Sequence, residues 1–298
     1  MGNKFSHTCI QNSLTFGPKN QTITMQEKIK VAVLDMYNGK ANQGMRCIHD
    51  IVGRFADELS LEVYDVRQNA DVPNIEDFNL YISSGGPGNP LEGDGIWDKK
   101  YYQLIDDIWV WNQTNERKKY ILFICHSFQM AVNHFGLANV TRRKSTSFGV
   151  MTIHKTESGM TDPIFEGLDN PFWAIDSRDY QVVQPHQKKF REMDAEIIAL
   201  EKIRNHVEYE RAIMAIRFSP EMVGTQFHPE ADPVGFLSHL KKHEVRDEII
   251  ALRGKSRYLA MLEHIVEEHT IYKTNETLIP NFLSQSIQFI KEQQAILQ

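Results

Sequence analysis

Cysteine is scarce in this chain. Only Cys9, Cys47 and Cys125 occur among 298 residues, and no two stand in Cys-x-x-Cys spacing. An odd, sparse set excludes a disulfide framework and a cysteine zinc site, and it fits a reducing cytoplasm in which a catalytic thiol stays usable. Long apolar runs are missing as well. No stretch approaches the roughly 20 residues needed to cross a bilayer, so no membrane partner is expected. A dense basic stripe is also absent and the formal charge is −6, which argues against a nucleic-acid partner. Neither phosphate-loop pattern occurs; the nearest approach, Gly254-Lys255-Ser256, has Ile249 where the leading glycine would stand. His239 and His243 share the i,i+4 spacing of some metal pairs but lack the glutamate of a His-Glu-x-x-His pattern. Two exposed histidines are therefore expected there, and neither a metal nor a cofactor.

What remains is a composition for a packed core, 41% apolar and 24% charged, long enough for one large α/β domain with additions or for two small ones. Residues 1–26 are polar and aperiodic and read as a loose leader. Its start, Met1-Gly2-Asn3-Lys4-Phe5-Ser6, matches a myristoylation pattern short enough to arise by chance, and Met25 offers an alternative start. Ile29–Leu34 reads as a buried strand, and Asn42 then caps a helix whose apolar face is Met45, Ile48, Ile51, Val52 and Phe55. Leu61–Val66 and Phe78–Ile82 follow as strands, then a helix over Tyr101–Trp111 and a strand over Tyr120–Ile124. Strands alternating with helices predict a mostly parallel central sheet with helices on both faces. Shorter apolar runs at 150–153, 173–175, 197–200, 212–216 and 223–227 predict further strands, several of them antiparallel. Beyond Asp232 the spacing becomes helical, with one amphipathic helix over Asn281–Leu297 behind Pro280. The expected organisation is a leader (1–26), an α/β domain (27–232) and a helical C-terminal extension (233–298) whose helices pack on the main domain.

Three segments carry chemistry. In Phe123-Ile124-Cys125-His126-Ser127-Phe128-Gln129 an apolar strand ends at a cysteine and continues as a helix-like pattern. A nucleophile on such a strand-to-helix turn projects above the sheet edge. Most lone cysteines are simply buried in a core, but this one is followed by polar residues at a strand end. An ordinary thiol is barely ionised at neutral pH, so it needs a base or a helix N-terminus, and this context offers both. Further along, Gly224-Thr225-Gln226-Phe227-His228-Pro229-Glu230 places an imidazole and a carboxylate two residues apart. The third segment, Ser83-Ser84-Gly85-Gly86-Pro87-Gly88, supplies bare backbone amides after another strand. A thiol, a base, an acid and such amides are the parts of an acyl-transfer site.

At these segments the chain resembles the class I glutamine amidotransferases, over roughly Lys28 to Asp232. Gln226-Phe227-His228-Pro229-Glu230 and Gly85-Gly86-Pro87-Gly88 stand as that family has them. The cysteine segment departs from the family's Gly-x-Cys-x-Gly-x-Gln, with Phe123 and Ser127 in place of both glycines. Ser127 is small; Phe123 needs a local pocket in the sheet layer. The resemblance implies a flavodoxin-like fold, Cys125 as nucleophile, His228 as base and Glu230 as its orienting acid. It further implies oxyanion donation from the backbones of Gly86 and His126, and glutamine contacts at Gly88 and Gln129. Where relatives carry a polar loop against the amino-acid end of glutamine, this chain has Ala174-Ile175-Asp176-Ser177-Arg178-Asp179. Arg178 there could hold a carboxylate or form a surface ion pair with Asp176 or Asp179.

The leading expectation is a glutaminase that supplies ammonia to a separate synthetase, since no nucleotide-binding pattern accompanies the site. Two alternatives stand beside it. One is a cysteine hydrolase of another γ-glutamyl amide or peptide, and the other is a non-catalytic regulatory subunit of the same fold. The intact set Cys125, His228 and Glu230 counts against the last.

Overall fold

In a computed structural model, which describes residues 28–203, 210–266 and 270–296, nine strands join in one sheet. The leader expected over residues 1–26, its myristoylation pattern, Met25 and Cys9 lie outside the described residues. In chain order the elements are β1 (Ile29–Asp35), α1 (Gln43–Gly53), β2 (Leu59–Asp65), α2 (Val66–Asn69), β3 (Leu80–Ser83), α3 (Trp97–Thr114), β4 (Tyr120–Ile124) and α4 (His126–His134). There follow β5 (Ala138–Lys155), α5 (Glu157–Thr161), β6 (Phe172–Pro185), α6 (Gln187–Met193), β7 (Glu196–Glu201), β8 (Ile213–Ser219) and β9 (Met222–Thr225). The chain closes with α7 (Pro233–Leu240), α8 (His243–Arg253), α9 (Lys255–Val266) and α10 (Thr270–Ile296).

The strand order is β2-β1-β3-β4-β9-β8-β7-β5-β6. Pairings from β2 through β9 are parallel, and those from β9 through β6 are antiparallel. In the parallel half, successive side chains of each strand enter opposite layers, as the two-residue period of a strand requires. Val31, Val33, Leu80, Ile82, Leu122 and Ile124 pack under α1 and α10, while Ala32, Leu34, Tyr81, Ile121 and Phe123 pack under α3 and α4. Helices thus cover both faces. Asn42 caps α1 as its sequence predicts, its side chain accepting the Met45 N–H at 2.8 Å.

Two elements differ from expectation. The short runs at 150–153 and 173–175 are parts of long strands, β5 and β6, paired with each other across a bulge between Arg142 and Ser147. The last helix begins at Thr270 and carries Pro280 inside it. A proline ordinarily breaks a helix, but Leu278, Ile279, Phe282, Leu283, Ile287 and Ile290 bury an apolar face here, and packing overrides propensity. The helices after Asp232 have two destinations: α10 completes the main core from Leu278 onward, and α7 to α9, with Ile271 at the start of α10, form a separate apolar cluster with Phe148 and Ile175. Among the described residues no helix is long and apolar enough to cross a membrane.

Candidate active site

Cys125 follows β4 directly and caps α4, with φ 49° and ψ −96°, a conformation that L-residues avoid and that a tightly supported turn must enforce. The support is visible. The Cys125 N–H donates to the Thr225 carbonyl at 2.7 Å, extending the β4/β9 ladder by one bond. Ser127, in place of the family's glycine, is fully buried, accepts the Ile124 N–H at 2.9 Å and lies 2.8 Å from the Ser83 carbonyl as donor. The serine therefore satisfies a backbone amide at the bend and ties the end of β4 to the end of β3. Phe123 finds its room across the sheet, where its register partner is Gly224. A β-carbon at Gly224 would stand 3.2 Å from Phe123 Cβ and 2.7 Å from Phe128 Cδ2, so the space relinquished in β4 is recovered in β9.

His228 and Glu230 leave the end of β9, the strand beside the nucleophile. The His228 N–H donates to the Ile175 carbonyl of β6 at 2.8 Å, and its Nδ1 lies 2.7 Å from Glu230 Oε1. Burial disfavours the imidazolium, but Glu230 and the Cys125 thiol outweigh it and hold the His228 pKa well above its ordinary value. Glu230 is itself pinned, its carbonyl accepting the Asn275 amide of α10 at 2.7 Å. The other histidine beside the nucleophile behaves oppositely. Burial, aided by the Arg67 cation, lowers His126 to about 3, so its ring is neutral at physiological pH. Cys47 opens on the same cavity, but burial pushes its thiol up to about 12, and it donates to Asp232 at 3.2 Å.

The glycine loop lies against this pair. Its anchor is Ser84, whose N–H donates to the Leu34 carbonyl at 3.0 Å and whose Oγ accepts the Met36 N–H at 2.9 Å. A β-carbon at Gly85 would meet His228 Cε1 at 2.8 Å, and one at Gly86 would meet the Met36 carbonyl at 2.3 Å. Side-chain-free backbone is thus a steric requirement of the loop. Arg67 donates to the Pro87 carbonyl at 2.6 Å from beneath and lies over the Trp97 ring.

Cys125, His126, His228, Glu230, Gly86, Gly88 and Gln129 all line one cavity of about 700 Å³. Every sequence-predicted site residue is therefore brought together. Residues that sequence reasoning gave no role also stand at the cavity or directly behind it. Gln226, fully buried, points its Nε2 at Cys125 Sγ at 3.8 Å and accepts the Gln129 amide at 3.0 Å. It belongs to the Gln226–Glu230 segment, but nothing in a one-dimensional string shows that a residue two before His228 turns toward the thiol. Tyr37 and, from α7 onward, Phe236, His239 and Lys242 complete the wall.

Two expectations are corrected. Arg178 forms no surface pair and leaves Asp179 alone: it is buried, with its Nε 2.9 Å from Asp176 Oδ2, and Glu201 stands beyond, while Asp179 accepts from Thr146. His239 and His243 do not share a helix face, because α7 ends at Leu240; His239 is half-buried in the cavity wall and His243 is exposed. Among the described residues no cluster of metal-ligating side chains occurs.

A thiol, an imidazole, a carboxylate behind it and bare amides around one cavity can perform acyl transfer through a thioester. Comparison with known proteins identifies the family. The family model for glutamine amidotransferase class-I matches residues 44–246. Among solved structures, a glutamine amidotransferase from Thermotoga maritima superposes with TM-score 0.64 at 18% identity, covering 88% of this chain and 99% of its own. A glutamine amidotransferase from Methylobacillus flagellatus gives TM-score 0.56 at 13% identity, covering 89% of this chain and 94% of its own. No curated protein sequence matches significantly. With a family model spanning more than half its length, the chain belongs to the class I glutamine amidotransferases.

Proposed function

We propose that this protein hydrolyses the side-chain amide of glutamine through a γ-glutamyl thioester on Cys125 and releases ammonia to a synthetase on a separate chain, in a reducing cytoplasm. The observation that carries this reading is His228, held between Glu230 and the Cys125 thiol at a cavity in a chain of this family. The Cys125 sulfur attacks the γ-carbonyl carbon. The resulting oxyanion takes hydrogen bonds from the backbone N–H groups of Gly86 and His126, where one donor is typically worth about 2.7–4 kcal/mol. The His228 imidazolium gives its proton to the departing nitrogen as the C–N bond breaks. Water then attacks the thioester with His228 as base, and glutamate leaves. Glu230 orients the ring and stabilises its charged form, and Gly88 and Gln129 hold the amino-acid end.

The test is a glutaminase assay on the purified chain combined with a glutamine-derived chloroketone. Loss of turnover together with alkylation of Cys125 is expected, and Cys125→Ala is expected to be inactive but folded. Alkylation of Cys47 with Cys125 untouched refutes the assignment.

A further inference from the structure

We propose that the cavity contains a leaving-group subsite, formed by α7, the α7–α8 junction and Phe148, that accepts γ-glutamyl peptides whose second residue is aromatic and ends in a free carboxylate. The inference rests on the thioester reading of Cys125. Free glutamine has about ten non-hydrogen atoms, whereas cavities of roughly 300–1,000 Å³ suit much larger ligands, and this one measures about 700 Å³. The surplus has a direction. The leaving nitrogen must lie within reach of His228 to receive its proton, and Glu230 occupies the Nδ1 side of that ring. A substituent on that nitrogen therefore extends beyond His228, toward the residues that follow it in the chain. There the wall is Gly235, Phe236, His239 and Lys242, with Phe148 packed beside Phe236, ring centroids 5.8 Å apart, so that the two present one aromatic surface.

The chemistry of that wall is particular. Phe236 and Phe148 are partly buried and offer an aromatic seat, while His239 and the exposed Lys242 stand at its rim. The acids nearby are engaged elsewhere: Asp179 accepts from Thr146, and Asp232 accepts from Arg46, Cys47 and the Gly235 N–H. A ring followed by a carboxylate matches this order of groups. The reaction balances as hydrolysis: the sulfur–carbon bond forms, the peptide C–N bond breaks with the His228 proton going to the amine, and water then releases glutamate and regenerates the thiolate.

The test uses the purified 298-residue chain with three probes, γ-glutamyl-phenylalanine, γ-glutamyl-phenylalaninamide and glutamine. The acid is expected to exceed the amide in kcat/KM by about fivefold, the scale of one partly exposed charge contact. Lys242→Ala should erase that preference, and Phe236→Ala should lower the ratio of dipeptide to glutamine turnover by about tenfold. Should Phe236→Ala fail to fold, the acid-to-amide comparison on the unaltered protein and the exposed Lys242→Ala still decide. Glutamine turnover without dipeptide turnover, or equal turnover of acid and amide unaffected by Lys242→Ala, overturns the subsite and leaves the glutaminase reading standing. No turnover of any probe, with Cys125 unreactive to the chloroketone, overturns both.

Discussion

Gly224→Ala tests how the elbow accommodates Phe123. The added methyl would stand 2.7 Å from Phe128 Cδ2 and 3.2 Å from both Phe123 Cβ and Phe218 Cε2, so at least one aromatic ring must move. Overpacking of this kind costs about 1–3 kcal/mol. Replacing glycine inside a strand returns about 0.5–1 kcal/mol through the unfolded chain. The net expectation is a loss of up to about 2.5 kcal/mol, centred near 1, or a Tm lower by a few degrees for a domain of this size. The closest ring, Phe128, sits three residues after the nucleophile on α4, so its displacement reaches the oxyanion side of the site. A misplacement of about 1 Å can cost a hundredfold in rate, and a shift of a few tenths should lower kcat severalfold with less effect on KM. Urea unfolding of Gly224→Ala, Phe128→Ala and the double variant supplies a cycle. Phe128→Ala alone should cost about 3–5 kcal/mol. In the double variant the new methyl enters the vacated space, giving a coupling of about 1 kcal/mol or more in the stabilising direction. Additive losses, or a Gly224→Ala protein as stable and active as the parent, refute the account.

Glu230→Gln should reduce kcat more than KM and lower the pH at which activity is lost on the alkaline side, because the carboxylate that raises His228 is gone; a pH–rate profile reads this. The same raised pKa links stability to pH. The contribution of the His228–Glu230 pair is fully present below the unfolded imidazole value of about 6.5 and is lost as pH rises through the higher folded value, so denaturation midpoints should fall in alkali and fall less in Glu230→Gln. Gln226→Leu removes the amide that faces the sulfur and the acceptor that orients Gln129; kcat should drop by about tenfold or more, and iodoacetamide should alkylate Cys125 more slowly at neutral pH. An unchanged alkylation rate would assign Gln226 to packing alone.

The parallel half of the fold was legible because its signals are local: uninterrupted apolar runs for β1 and β4, an Asn42 cap for α1, and a strand ending at Cys125. The chemical segments were legible for the same reason, since each spans a few contiguous residues. The antiparallel half was legible as a set of short strands, but not in the length of β5 and β6. β6 carries Asp176 and Arg178 buried within it, paired along the strand while Arg178 also faces Glu201 of β7, and β5 crosses a bulge at Arg142 to Ser147, so the apolar alternation is broken there. Pro280 likewise signals a helix start by itself, and only the apolar face packed on the sheet explains why α10 runs through it. Gln226 and the α7 wall needed three dimensions, because their partners lie far away in sequence.

β9 lies at the seam where parallel pairing gives way to antiparallel, and both halves of the reacting pair are hung from its end. Cys125 is held by the Thr225 carbonyl, and His228 emerges three residues later, fastened to β6 through Ile175. The separation of sulfur and imidazole is thus a sheet dimension, set by ladder bonds on either side. Ligand-driven reorganisation has little purchase on that spacing. The α7 wall, which comes from a separate part of the chain, can change shape or sequence without altering that spacing.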